Sequence, residues 1–198
     1  LGVKTTRVKK LSLKDISEEN KDEYLKFKNL FSSFENQLSV YSHSPVGMRH
    51  LYGMSYEISQ SSTLPKRLIE IAVIAASFQN KCKYCVVHHS SILADLGLDS
   101  DLISNINNLE NKGLTEVEII VRDYAIAITE KAWGIKNEMY ERLKKFFNDS
   151  EIVELTMRIA LTGLFNKVNQ ALGIEMEEGL MAEFMSKGLS VDNFESVK

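Results

Sequence analysis

Two cysteines and two prolines in 198 residues set the first limits on this chain. So few cysteines cannot build a secreted disulfide framework, and an adjacent pair suits a reducing compartment in which the thiols cycle. Pro45 and Pro65 stand alone, so helical spacing can run on almost uninterrupted elsewhere. Charge of neither sign dominates. The 24 Lys and Arg are scattered among 27 Asp and Glu, for a net charge of −3, and no basic face is offered to nucleic acid or to an acidic membrane surface. An uninterrupted apolar stretch of transmembrane length is missing, as is a basic–apolar–small leader pattern. The sequence also lacks a phosphate loop, a nucleotide fingerprint and a nucleophilic serine motif. The expectation from these absences is a cytoplasmic protein with no nucleic-acid partner, no membrane and no cofactor.

What is present is an ordinary globular composition, 44% hydrophobic and 26% charged, in a chain long enough to bury a core as one domain over residues 1–198. The apolar residues recur at three- and four-residue steps, which predicts an all-α, multi-helix bundle of about nine helices with no strand. Residues 1–16 read as an irregular lead-in and 188–198 as a polar tail. Helices are expected from Ser17 through Phe34, from Pro45, where a missing N–H costs nothing in a first turn, and from Lys66 to about Phe78. The last of these is apolar almost all round and so is expected to be the central buried helix. Gln79-Asn80-Lys81 breaks the pattern, with Asn80 as the expected cap of a helix from Cys82 to Leu96 that stops at Gly97. A helix from Ser100 to near Gly113 follows. Thr115 and Glu118 then form a capping box that opens a helix through Trp133, and further helices are expected at 136–147, 150–172 and 175–187.

The chemistry is concentrated in Glu70, Cys82, Cys85 and His89, spaced E-x11-C-x2-C-x3-H. Two thiols two residues apart can close a disulfide with little backbone movement, and a carboxylate with an imidazole can manage the protons of thiol chemistry. Cys82, Cys85 and His89 fall on one helix face at i, i+3 and i+7. On a straight helix Glu70 would lie ~18 Å from Cys82, so the break at 79–81 must be a hairpin if the carboxylate is to join them. Backbone N–H groups at the start of the second helix would favour a thiolate. A structural zinc held by Cys82, Cys85, His89 and either Glu70 or His88 is the competing reading, set against a chain already rich in apolar helix. His88 lies about a quarter-turn from His89 and reads as a surface residue. His43 and His50 read as structural or solvated, and Trp133 as core or interface. One internal echo is visible. Glu154, Asn166 and Asn169 repeat the offsets of Glu70, Cys82 and Cys85, with Gly173 where the imidazole would stand, as a duplicated helical hairpin without the chemistry would. Asn166 and Asn169 are candidates to cap or line the site.

The segment from Lys66-Arg67-Leu68-Ile69-Glu70 through Cys82-Lys83-Tyr84-Cys85-Val86-Val87-His88-His89 to Leu93 and Gly97 resembles the signature of the carboxymuconolactone decarboxylase and alkylhydroperoxidase D-like family. The resemblance is strong over 65–97 and weaker over 115–175, so that 65–175 would be the family core. It implies a helical bundle assembled into homo-oligomers, trimers or hexamers. It further implies a thiol peroxidase in which Cys85 attacks a hydroperoxide, Cys82 resolves the sulfenic acid to a disulfide, and Glu70 and His89 relay the proton. The implied partners are a peroxide substrate and a dithiol reductant. One departure stands out: the resemblance implies a histidine at position 84, and this chain has Tyr84. A phenol, with an unperturbed pKa of ~10, is a poorer shuttle near neutrality. Thiol–disulfide exchange or redox sensing with little peroxidase turnover is therefore the first alternative, and a metal-binding or structural helical assembly the second. The decarboxylase branch lacks the cysteine pair, which argues against lactone decarboxylation here.

Overall fold

The computed structural model describes residues 6–110 and 112–191. The start of the expected lead-in, 1–5, and most of the expected polar tail, 192–198, lie outside the described residues. Among the described residues there are ten α-helices and no strand: α1 (Glu18–Leu30), α2 (Glu35–Tyr41), α3 (Pro45–Ser61), α4 (Lys66–Gln79), α5 (Lys83–Asp95), α6 (Ser100–Ser104), α7 (Glu116–Lys131), α8 (Asn137–Leu143), α9 (Asp149–Leu172) and α10 (Leu180–Ser186). No described helix is long and apolar enough to cross a membrane. The chain divides into two compact units, Leu1–Ser62 with Asn169–Glu178, and Thr63–Val168 with Gly179–Lys198.

The first unit is built on the apolar faces of α1, α2 and α3. Tyr24 and Phe27 of α1 are buried, as are Leu38 and Val40 of α2 and Met48 and Tyr52 of α3. Phe31 meets Tyr52 edge-on with centroids 5.2 Å apart. A polar network is buried in the same unit. Gln37 donates to Asn169 Oδ1 at 3.1 Å, Tyr41 donates to the same oxygen at 3.1 Å, and the Tyr52 hydroxyl donates to Gln37 Oε1 at 2.8 Å. Each group has a partner, which is the condition for keeping polar atoms in a core. The apolar spacing predicts one helix from Ser17 through Phe34. The chain instead ends α1 at Leu30, makes a 3-10 turn at Ser32–Phe34 and starts α2.

The second unit is organised on α4, packed chiefly against α7 and α5. Every residue of α4 from Leu68 to Phe78 is buried, so the all-round apolar pattern of this segment marks the central helix as expected. Two helices are shorter than their sequence pattern suggests. The helix from Ser100 ends at Ser104, because the asparagines that follow satisfy backbone groups locally: Asn105 Nδ2 donates to Asp101 O at 2.9 Å and Asn108 Oδ1 accepts from the Glu110 N–H at 3.0 Å. The last expected helix, 175–187, is confined to Leu180–Ser186 behind Gly179, whose φ of 79° ends any helix arriving from Glu175. The capping box at Thr115 and Glu118 is present, and Arg67 Nε donates to the same Glu118 carboxylate at 2.6 Å.

The sequence echo does not fold as a second hairpin. Residues 154–169 belong to a single 24-residue helix. No proline or cap interrupts it, and the Thr162 hydroxyl bonds back to Arg158 O at 2.9 Å within the helix, so Gly163 is carried through without a turn.

Candidate active site

The turn between α4 and α5 sets the site. Lys81 sits in the left-handed region at φ 56°. Its N–H bonds Phe78 O at 3.0 Å, and the next N–H, that of Cys82, reaches back to Ser77 O at 2.9 Å. Together these make a Schellman motif, usually built on glycine. The helix axis reverses within two residues, which is the hairpin the Glu70 hypothesis requires. Asn80 is therefore the C-terminal cap of the first helix and not the N-terminal cap of the second; that cap is Cys82.

The reversal brings the predicted residues together. Glu70 Oε2 accepts from His89 Nδ1 at 2.7 Å, joining α4 to α5. The Cys82 and Cys85 sulfurs lie 3.3 Å apart as free thiols. Both cysteines are buried, 1% and 4% exposed, and Glu70 is 7% exposed, so bulk water hardly competes for these groups. The Cys82 thiol is held below its ordinary range. The hydrogen bond between the two thiols is the largest cause and burial opposes it, while the Cys85 backbone N–H, the Asn166 side chain and the charge of His89 reinforce it. With Nδ1 on the carboxylate, a proton exchanged with a thiol has to pass through the other imidazole nitrogen.

Two residues absent from the sequence reading, Ser77 and Arg158, surround this set. Ser77 Oγ accepts from Asn166 Nδ2 at 3.1 Å, and Asn166 Oδ1 accepts from Asn80 Nδ2 at 2.9 Å. Arg158 of α9 acts on Glu70 by charge; burial lowers its pKa, opposed by the carboxylates of Glu154 and Glu70. The Arg158–Glu154 contact is 3.6 Å, and Arg158 Nε, Arg158 Nη2 and Glu154 Oε1 are buried without hydrogen-bond partners. A polar pair on a mostly apolar helix was the available signal for Arg158; nothing in the sequence singles out Ser77.

Other expectations shift. His88 is buried, 3% exposed, and packs against Tyr84 with the rings tilted at 50° and centroids 4.5 Å apart, because the quarter-turn from His89 faces it into the core and not toward solvent. Trp133 is 84% exposed and is no part of a core; Lys131 lies over its ring at 4.1 Å. His43 bonds the Lys9 carbonyl at 2.8 Å, a structural role. Of the two asparagines, Asn166 joins the thiol site and Asn169 the network of the first unit. Among the described residues no group of three or more His, Cys, Asp or Glu side chains converges to hold a metal ion.

Residues 47–108 match the Carboxymuconolactone decarboxylase family, so the match takes in most of α3 as well as the thiol segment. An uncharacterized Bacillus subtilis (strain 168) protein, YdfG, is 23% identical over 145 residues, covering 69% of this chain and 94% of its own. The alkylhydroperoxidase AhpD core of a peroxidase-related protein from Ralstonia eutropha JMP134 superposes with a TM-score of 0.74 at 20% identity, over 90% of this chain and 96% of that one. The debrominase Bmp8 does so with a TM-score of 0.71 at 16% identity, over 86% and 95%. One helical fold thus serves proteins with different named chemistries, and the reaction has to be argued from the site. Residues 47–108 are thus similar to the Carboxymuconolactone decarboxylase family, and the chain shares the helical fold of the alkylhydroperoxidase AhpD core.

Proposed function

We propose that this chain is a thiol-dependent peroxidase that reduces alkyl hydroperoxides or hydrogen peroxide through Cys85 and Cys82. The observation that carries the reading is the convergence of a buried sulfur pair, 3.3 Å apart, with a Glu70–His89 bond of 2.7 Å across the helical hairpin. In the proposed cycle His89, oriented by Glu70, takes the Cys85 proton. The Cys85 sulfur attacks the peroxide; the O–O bond breaks, an S–O bond forms, and the alcohol or water leaves with the proton returned by His89. Cys82 then attacks the Cys85 sulfenic acid, forming the S–S bond and releasing water. A dithiol reductant, protein or small molecule, restores both thiols, so each turn consumes one peroxide and oxidises one dithiol. The family resemblance supports giving the attack to Cys85. A cytoplasmic homo-oligomer, trimeric or hexameric, is the setting proposed for this chemistry.

Tyr84 favours a second reading, in which thiol–disulfide exchange or sensing dominates and peroxide turnover is slow, since a phenol stands where the resemblance implies an imidazole. The two separate in one experiment. Reduced protein is mixed with one equivalent of tert-butyl hydroperoxide or hydrogen peroxide and free thiols are counted over time, followed by steady-state consumption against a panel of dithiols. The peroxidase reading expects both thiols lost together, and Cys85→Ser inactive. Peroxide consumption undiminished in Cys85→Ser overturns the assigned roles. Rapid disulfide exchange without peroxide consumption selects the second reading.

A further inference from the structure

Asn166 has no part in the cycle above, yet it is among the most completely buried polar side chains in the molecule, 0% exposed. Its hydrogen-bonding capacity is used up on three sides. Oδ1 accepts from Asn80 Nδ2 at 2.9 Å, one Nδ2 hydrogen goes to Ser77 Oγ at 3.1 Å, and the side chain also bonds the Cys82 sulfur. The carboxamide can donate two hydrogens and accept at its oxygen. With Asn80 holding the oxygen, Nδ2 is the end left for Ser77 and the sulfur. Ser77 is itself 0% exposed, and its carbonyl accepts the Cys82 N–H at 2.9 Å. One turn of α4 therefore grips both the backbone of Cys82 and the amide that faces its side chain.

We propose that Asn166 is a positioning residue that holds the Cys82 sulfur toward Cys85 and donates to it as it gives up its proton, so that the disulfide closes as soon as Cys85 is oxidised. A buried thiol has no water to stabilise its anion, and fixed N–H donors take water's place. From its own helix Cys82 faces Cys85 and His89. From α4, Ser77 stands behind Asn166 and Glu70 behind His89; from α9 comes the neutral amide, whereas the charge of Arg158 acts on Glu70. The step balances: His89, neutral once the alcohol has left, takes the Cys82 proton, the Cys82 sulfur attacks the Cys85 sulfur, an S–S bond forms, the S–O bond breaks, and the departing hydroxide takes that proton from the His89 imidazolium to leave as water. The resolution half of this inference rests on the peroxidase reading; the ionisation half does not.

The test uses the full chain as wild type, Asn166→Asp, which keeps shape while losing a donor and adding charge, and Asn166→Ala. Iodoacetamide labelling of reduced protein from pH 5 to 9, read peptide by peptide by mass spectrometry, gives the midpoint for Cys82. Both variants are expected to move it to higher pH and to slow Cys82 labelling at pH 7 about tenfold, the scale of one hydrogen bond to a charged group. Asn80→Ala, which releases the amide oxygen, is expected to move it part of the way. With one equivalent of tert-butyl hydroperoxide, dimedone should trap more Cys85 sulfenic acid in the Asn166 variants, while the first loss of thiol keeps its rate within about threefold. A purely structural asparagine would lower the melting temperature without moving the labelling midpoint. An unmoved midpoint in a variant that melts like wild type overturns the assignment. If Asn166→Ala does not fold, the isosteric Asn166→Asp carries the test. A shifted midpoint with no peroxide consumed in wild type would remove the peroxidase reading and the resolution role, and leave Asn166 as a donor that eases the ionisation of Cys82.

Discussion

Replacing Glu70 by glutamine changes one oxygen for one amide and removes one charge, so it isolates what the carboxylate does for His89. In the structure Glu70 Oε2 lies 2.7 Å from His89 Nδ1, and Glu70 is nearly inaccessible to water. A carboxylate can only accept, which fixes the imidazole with hydrogen on Nδ1 and a lone pair on Nε2 for a thiol proton. Glutamine accepts or donates with equal ease, and when it donates the imidazole is left in the wrong tautomer. The lost interaction is a hydrogen bond to a charged group, ~1.5–3 kcal/mol, which at 1.36 kcal/mol per decade translates to a fall of about 10- to 150-fold in the rate of thiol oxidation by peroxide. The assay is stopped-flow loss of thiols under excess tert-butyl hydroperoxide, from pH 6 to 9. Because glutamine fills the same volume, the fold should survive, and thermal melting checks that it does. A well-folded Glu70→Gln protein reacting within twofold of wild type at every pH would refute the relay, and would mean that the 2.7 Å bond only pins the helical hairpin.

Two further outcomes concern the frame around the site. Lys81 holds a left-handed conformation at φ 56° that costs a side-chain-bearing residue ~1–2 kcal/mol. Lys81→Gly removes that strain but gains freedom in the unfolded chain, for an expected net gain of about 0.5 kcal/mol in urea unfolding, whereas β-branched Lys81→Val should cost ~1 kcal/mol or more. A clear loss on Lys81→Gly would contradict this account of the turn. Glu118 accepts from the Thr115 N–H and hydroxyl and from Arg67; although burial pushes its carboxyl up, these partners hold it below its ordinary value of 4.5. Its contribution is therefore complete above about that pH and is lost as the pH falls through the lowered folded value. Glu118→Gln is expected to cost ~1–2 kcal/mol at pH 7, with the gap to wild type closing in acid; a gap that stays constant down to pH 3 would contradict the charge argument.

Much of the site could be read from the chain because its logic is local. Glu70, Cys82, Cys85 and His89 fall within twenty residues, and the break at 79–81 interrupts an otherwise apolar run. Even there the details depended on backbone geometry: the capping role given to Asn80 belongs to Cys82, since a left-handed residue at 81 moves the start of α5 onward by two. The contributions from α9 were harder to see. Asn166 stands out in the sequence only by its spacing, and that same spacing suggests a hairpin that a continuous helix excludes. Its real role needs α9 to lie beside the turn, which no local pattern encodes. The fold shows the same division. Pro45, Pro65, Gly97 and Thr115 mark helix ends by their own chemistry. By contrast α2 begins after a 3-10 turn with no distinctive residue, and the helix after Ser100 is cut short by asparagines that bond their neighbours.

The sulfur pair joins positions only three apart in sequence, at the first turn of α5. A ring that small removes little freedom from the denatured polypeptide: the chain-entropy relation gives about 2 kcal/mol, against about 4.7 for a hundred-residue loop. Closing and opening the disulfide should thus shift overall stability by no more than about 2 kcal/mol, less than half of what a long-range bridge would impose on each turn of the couple.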